Sequence, residues 1–282
     1  MDLPPPAPLD ALALLAPTLQ AAPLVFASPH SGRRYDAAFL AASRLDPPTL
    51  RRSEDCFVDE LFAAAPAHGA PLLAATFPRA FCDANREPWE LDPAMFADPL
   101  PAWVNTGSAR VLAGLGTIAR VVASGEAIYR DKLRFAEAEA RVRACWVPFH
   151  ATLQALIETT RARFGRCLLI DCHSMPTAQP GAPRCGGADV VLGDAHGTAC
   201  APRSIRLVQE TLEGLGYRVR RNEPYAGGYI TRHYGRPREG IEALQIELCR
   251  SLYMDEARLL PLPGFAAVQR DMTTLIGALA AS

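Results

Sequence analysis

An α/β fold of three layers, αβα, around a central mixed and mostly parallel sheet is what this sequence predicts, on three observations. Strand-like apolar runs alternate with helix-like segments, the pattern of a sheet covered on both faces. Two runs, Leu24-Val25-Phe26-Ala27-Ser28 and Cys167-Leu168-Leu169-Ile170-Asp171-Cys172, have the length and apolar content of buried strands. Each leads straight into a small polar turn with a histidine, Pro29-His30-Ser31-Gly32 and His173-Ser174. Both histidines are therefore expected just past the carboxyl end of a strand, the edge where ligands bind in open α/β sheets.

The elements follow in order. Residues 1–22 read as a proline-rich arm and a short apolar turn of helix, with Pro23 marking entry to the first strand. From Ser53 a polar cap, an acid-rich first turn and apolar Phe57, Leu61 and Phe62 predict a helix ending at Pro66 to Gly69. Pro71 to Thr76 reads as a second buried strand, and Arg79 to Arg86 as a short extended stretch. Residues 86–122, rich in Pro, Gly and small side chains, read as long connections. A long helical pattern spans about 125–164, broken near Pro148 and capped by Gly165. Residues 175–187 read as a Pro/Gly-rich loop. Strands are expected at 189–192, 217–221 and 243–248, and helices at 198–215 and 255–280. No repeat or linker divides the 282 residues, so a single domain over 1–282 is expected.

Composition narrows the function. The formal net charge is −1 and the arginines are scattered, which leaves no basic surface for nucleic acid. The start carries an acid and a proline run where a secretory signal needs positive charge and an apolar stretch, and no segment reaches about 18 consecutive apolar residues. A soluble, cytoplasmic protein that binds no membrane is expected. The cysteines at 56, 82, 145, 167, 172, 185, 200 and 249 show no CxxC spacing and read as buried thiols rather than a disulfide framework.

Two imidazoles at one sheet edge point to a metal. Hydrolytic zinc commonly takes two histidines and a carboxylate and keeps a fourth position for water. His30 and His173 supply the nitrogens, and one ion requires them within about 8 Å of each other. Three acids, Glu54, Asp55 and Asp59, lie near the start of the helix after the first histidine turn; Asp55 is the first choice and Asp59 the fallback. Asp171 is placed to orient the His173 ring. Glu247, within the apolar run from Ala243 to Cys249, suits a proton shuttle whose pKa burial would raise, with an ion pair to arginine as the alternative. Asn85 and Arg86 offer an amide beside a guanidinium, suited to a carboxylate, and Arg232 lies in a glycine-flanked loop able to close over substrate. Together they indicate a small-molecule substrate carrying carboxylates. His68, His150, His196 and His233 read as packed or loop histidines.

These motifs resemble the N-formylglutamate amidohydrolase (N-formylglutamate deformylase) family, similar in fold to the zinc carboxypeptidases and aspartoacylases. The carriers are Ser28-Pro29-His30-Ser31-Gly32, the segment from Glu54 to Leu61, Asp83-Ala84-Asn85-Arg86 and Trp146-Val147-Pro148-Phe149-His150. They continue with Asp171-Cys172-His173-Ser174, the segment from Gly227 to Gly235, and Gln245-Ile246-Glu247-Leu248, covering about residues 24–256. The resemblance implies hydrolysis of N-formyl-L-glutamate in histidine degradation and a divalent metal, zinc first, on His30, the acid of the Asp55 segment and His173. It also implies carboxylate binding by Asn85 and Arg86 with help from Arg79 and Arg232, and Glu247 as proton shuttle. The rivals are a metallo-hydrolase of other N-acyl amino acids or peptides, a non-catalytic binder of acidic metabolites, and an amidase with Cys172 as nucleophile.

Overall fold

The structure is a computed structural model that describes residues 11–177 and 184–282. The expected arm over the first ten residues and part of the expected 175–187 loop lie outside the described residues. The chain divides into two compact units. The smaller comprises residues 11–13, 32–54 and 75–152, and the larger residues 14–31, 55–74 and the described part of 153–282.

The larger unit holds nearly all of a seven-stranded sheet. Its strands are β1 (Leu12–Leu15), β2 (Leu24–Ser28), β3 (Leu72–Ala75), β4 (Cys167–Met175), β5 (Val190–Gly193), β6 (Val219–Arg221) and β7 (Ile241–Cys249), in the order β1-β3-β2-β4-β7-β5-β6. β2 pairs in parallel with β3 and β4, β4 with β7, and β5 with β6, while β5 meets β7 antiparallel. The sheet is thus mixed and mostly parallel, with helices on both sides, as the sequence predicts. A two-stranded hairpin, β8 (Met254–Asp255) and β9 (Leu260–Pro261), follows.

The helices are α1 (Ala37–Ala42), α2 (Pro47–Arg51), α3 (Val58–Leu61), α4 (Ala109–Leu112), α5 (Phe135–Arg141), α6 (Val147–Phe164), α7 (Pro202–Gly214), α8 (Tyr229–Tyr234) and α9 (Phe265–Ala280). Side chains alternate between faces along a strand, and here the alternation sorts chemistry from packing. Leu24, Phe26, Ile170, Cys172, Val190, Leu192, Leu244, Ile246 and Leu248 enter one apolar core with α3, α7 and α9. The residues between them, including Asp171, His173, Gln245 and Glu247, therefore belong to the opposite face.

Several expectations are corrected. The apolar turn before Pro23 is an edge strand, β1, because four apolar residues carry too little periodicity to separate strand from helix. The helix expected from Ser53 begins at Val58, since Phe57 takes a left-handed conformation (φ 66°) and interrupts it. Asp55 therefore precedes the helix. The terminal helix starts at Phe265 rather than Asp255, which pairs with Leu260 in the hairpin; Pro261 and Pro263 lack the amide hydrogens a helix needs there. Cys185 and Cys249, 64 residues apart, form a disulfide, against the expectation of thiols throughout. The other six cysteines are buried thiols.

In the smaller unit the helix expected from about 125 starts only at Phe135. The backbone before it is held elsewhere: Ile128 N–H donates to Arg120, Arg130 N–H to Ala42 and Leu133 N–H to Met95. The break expected near Pro148 is a π-helical segment, Val142–Trp146, which absorbs the proline's missing donor one turn early. Arg79 to Arg86 is a run of turns rather than an extended stretch, with Phe81 and Cys82 N–H both donating to Pro78 O.

Candidate metal centre

The parallel strands bring the predicted residues to one place. β2 ends at Ser28 and its chain continues through a buried turn to His30, whose carbonyl accepts from the Asp55 N–H at 3.0 Å. That bond ties the acid to the first histidine before any side chain is considered. Gly32 is required in this turn, because a Cβ there would lie 2.0 Å from the Phe77 carbonyl oxygen. β4 runs alongside β2 and carries His173 within the strand, two residues short of its end, where the sequence placed it just beyond.

His30, Asp55 and His173 are all buried, and one donor atom from each lies within 4.8 Å of the other two. Asp55 Oδ2 is 3.4 Å from His30 Nδ1 and 3.0 Å from His173 Nδ1, and the centroids of the two imidazole rings are 4.8 Å apart. Two metal–ligand bonds of about 2.0–2.2 Å subtend roughly 3.4 Å around a four-coordinate ion. The residues present therefore fit a divalent metal. Glu54 lies in the smaller unit, bonded to Arg51 there, and Asp59 lies within α3; of the three acids considered, Asp55 is in the cluster.

Electrostatics makes the same point. His173 Nε2 donates to Asp171 Oδ1 at 2.8 Å, since an ionised carboxylate can only accept. Nδ1 is thereby turned toward Asp55 Oδ2, and a lone pair facing an acceptor demands a cation between them, a proton or a metal ion. Burial pushes the His173 imidazole down, but Asp171 by charge and hydrogen bond, with Asp55 and Glu247, holds it well above its ordinary value. Burial pushes the Asp55 carboxyl up, and His173 and His30 outweigh that and hold it well below the usual carboxylate range. Asp171 is itself fixed by Thr231, whose hydroxyl donates to Oδ2 at 3.3 Å.

Beside this cluster, β4 and β7 pair with His173 opposite Glu247. Glu247 is buried, and Gln245, two residues earlier on the same face, donates to its Oε1 at 2.9 Å. The amide's orientation is settled by Gly228, whose N–H donates to Gln245 Oε1 at 2.8 Å. Sequence reasoning gave Gln245 no role, and it missed Arg250 altogether. The buried Arg250 donates from Nη2 to Asp55 Oδ1 at 3.0 Å and from Nε to Ser174 Oγ at 3.1 Å.

The predicted carboxylate-binding residues are distributed. In the smaller unit, Asp83 gathers Arg79 (2.9 Å), the Asn85 N–H (2.8 Å) and Arg86 (3.8 Å). The Arg86 side chain also donates to Leu115 O and Asn85 O, and its carbonyl accepts from Trp146. His150 stacks on Trp146 and bonds the Ala84 carbonyl, a packed histidine as expected. In the larger unit, Arg232 is exposed on α8, a short helix where the sequence indicated a loop, because Gly228 starts a helical turn instead of hinging one. Cys172 enters the core on the opposite face from His173, and burial raises its thiol well above the ordinary range, so it is no nucleophile. No helix among the described residues is long and apolar enough to cross a membrane.

Comparison with known proteins places the chain among characterised relatives. The family model described as N-formylglutamate amidohydrolase matches residues 22–254. Curated N-formylglutamate deformylases from Pseudomonas aeruginosa and Pseudomonas putida are 30% and 31% identical to this chain over 238 and 241 residues. Those matches span 83% of this chain in both cases, and 83% and 82% of the two relatives. The crystal structure of N-formylglutamate amidohydrolase from Ralstonia eutropha JMP134 superposes with a TM-score of 0.90 at 39% identity, covering 97% of this chain and 98% of that one. A gene product from Agrobacterium tumefaciens, 20% identical with a TM-score of 0.66 over 96% and 95% of the two chains, shares the fold.

Proposed function

The chain belongs to the N-formylglutamate amidohydrolase family, and on that premise we propose that it hydrolyses N-formyl-L-glutamate to formate and L-glutamate with a divalent metal, zinc first, on His30, Asp55 and His173. The observation that carries this reading is the convergence of those three buried side chains, with Glu247 in register beside His173. A metal bound there would polarise the formyl carbonyl and make water acidic enough to attack near neutral pH. Asp171 holds His173 in the tautomer that leaves Nδ1 as ligand. Glu247 takes the proton of the attacking water on its carboxylate and returns it to the departing amine nitrogen, while Gln245 keeps that carboxylate aimed.

Carboxylate recognition is assigned to Asn85 and Arg86, with Arg79 and Arg232 as helpers, and Arg79 is the candidate for stabilising the tetrahedral oxyanion. The support is chemical. Arg86 uses Nε and Nη1 on protein carbonyls, which fixes its plane, and its Nη2 stands 3.8 Å from the Asp83 carboxylate, the chemistry a substrate carboxylate would offer.

The direct test is formate release by the purified, metal-loaded protein from a panel of N-formyl, N-acetyl and N-succinyl amino acids. N-formyl-L-glutamate is expected to give the highest kcat/KM. A panel in which a longer acyl group or an uncharged amino acid wins rejects the substrate, and one in which nothing is cleaved rejects the activity.

A further inference from the structure

We infer that Arg250 is a positioning residue for the metal: it holds Asp55 by Oδ1, so that the carboxylate presents the single oxygen Oδ2 to the ion. The inference rests on the metal reading above. Arg250 follows β7 directly and is buried, a costly place for a guanidinium unless its donors are used. They are used on three other segments: Nη2 on Asp55 Oδ1 at 3.0 Å, Nε on Ser174 Oγ at 3.1 Å, the residue after His173, and Nη1 toward Glu256 at 3.7 Å. One planar fork therefore links the chain beside one metal ligand to the side chain of another. Asp55 in turn is divided between its two oxygens, Oδ1 on Arg250 and Oδ2 on the imidazole nitrogens.

A bare charge effect and a positioning effect have opposite signs. If Arg250 acted only as a nearby positive charge, it would repel the ion, and removing it would tighten metal binding or leave it unchanged. If it positions Asp55, its loss lets the carboxylate rotate among orientations that metal binding must then restrict, and that ordering cost weakens binding. Outer-shell partners of this kind are worth about 10–100-fold in metal affinity.

The test uses the full-length protein with Arg250→Met and Arg250→Lys, titrated with zinc against a chromophoric chelator, and with cobalt(II) to read coordination from the visible spectrum. Arg250→Met is expected to lose about 10–100-fold in zinc affinity, with cobalt bands changed as Asp55 loses its fixed orientation. Arg250→Lys keeps the charge but cannot span Asp55 and Ser174 together, so it is expected to lose affinity as well; it decides the matter if the methionine variant does not fold. Native or tighter zinc binding with an unchanged cobalt spectrum overturns the inference alone. A wild-type protein that takes up no stoichiometric metal overturns the metal centre, and this inference with it.

Discussion

At the scale of single residues, the centre is built by dividing the atoms of each polar side chain among different partners. His173 has two nitrogens and two carboxylates, Asp171 on Nε2 and Asp55 on Nδ1, and without a metal it satisfies both only as an imidazolium. Because Asp171, Asp55 and Glu247 hold its pKa well above the ordinary value, a proton occupies Nδ1 to higher pH than in a free histidine. A metal must displace that proton. Apparent metal affinity is therefore expected to rise with pH through and beyond the ordinary histidine range and to fall on acidification. Titrations across that range which show constant affinity would contradict the assigned tautomer. Glu247 carries a separate expectation, because it stands opposite His173 in register rather than among the three clustered side chains. Glu247→Gln should keep its metal and lose about 10²–10⁴-fold in kcat, and near-native turnover in a metal-replete variant would reject the proton shuttle.

At the scale of elements, β4 and β7 form the platform and a few backbone approaches keep it aligned. Gly193 ends β5 where a Cβ would lie 2.7 Å from Gly227 N, and Gly227 leads to the Gly228 N–H that fixes Gln245. Gly193→Ala should lower the denaturant midpoint by an amount equivalent to about 1–3 kcal/mol and reduce kcat as Gln245 moves off Glu247. A variant with native stability and rate would show that this approach is slack. The buried parallel strands were legible because they are unbroken apolar runs, and His30, Asp171, His173 and Glu247 stood out as polar residues at or inside them. Asp55 was legible only as one of three acids; the left-handed Phe57 that sets it ahead of α3 has no sequence signal. Arg250 was hidden because its partner lies 195 residues away, and a charged residue after a strand looks like any surface arginine. The late start of α5 was hidden for a related reason, since bridges to Ala42, Met95 and Arg120 override a helical pattern that is locally sound.

At the scale of the whole molecule, the catalytic candidates on β4 and β7 and those on the turns from Arg79 to Arg86 fall in different compact units, each held by its own network. The larger unit has a covalent tie as well. Cys249, two residues after Glu247 and next to Arg250, is bonded to Cys185 and sits in a small apolar cluster with Met175, Ala188 and Val191. Closing a loop of 64 residues is expected to contribute about 2–4 kcal/mol, so unfolding by denaturant should come earlier under reducing conditions. Equal midpoints with and without reductant would show that the bond adds nothing. The central claim, that two strand-end histidines and Asp55 hold one catalytic metal, is tested most directly by anomalous diffraction at the metal edge from crystals of the loaded protein. One peak at about 2.0–2.2 Å from His30 Nδ1, Asp55 Oδ2 and His173 Nδ1 is predicted; no peak within bonding reach of all three, or the metal held elsewhere, would contradict it.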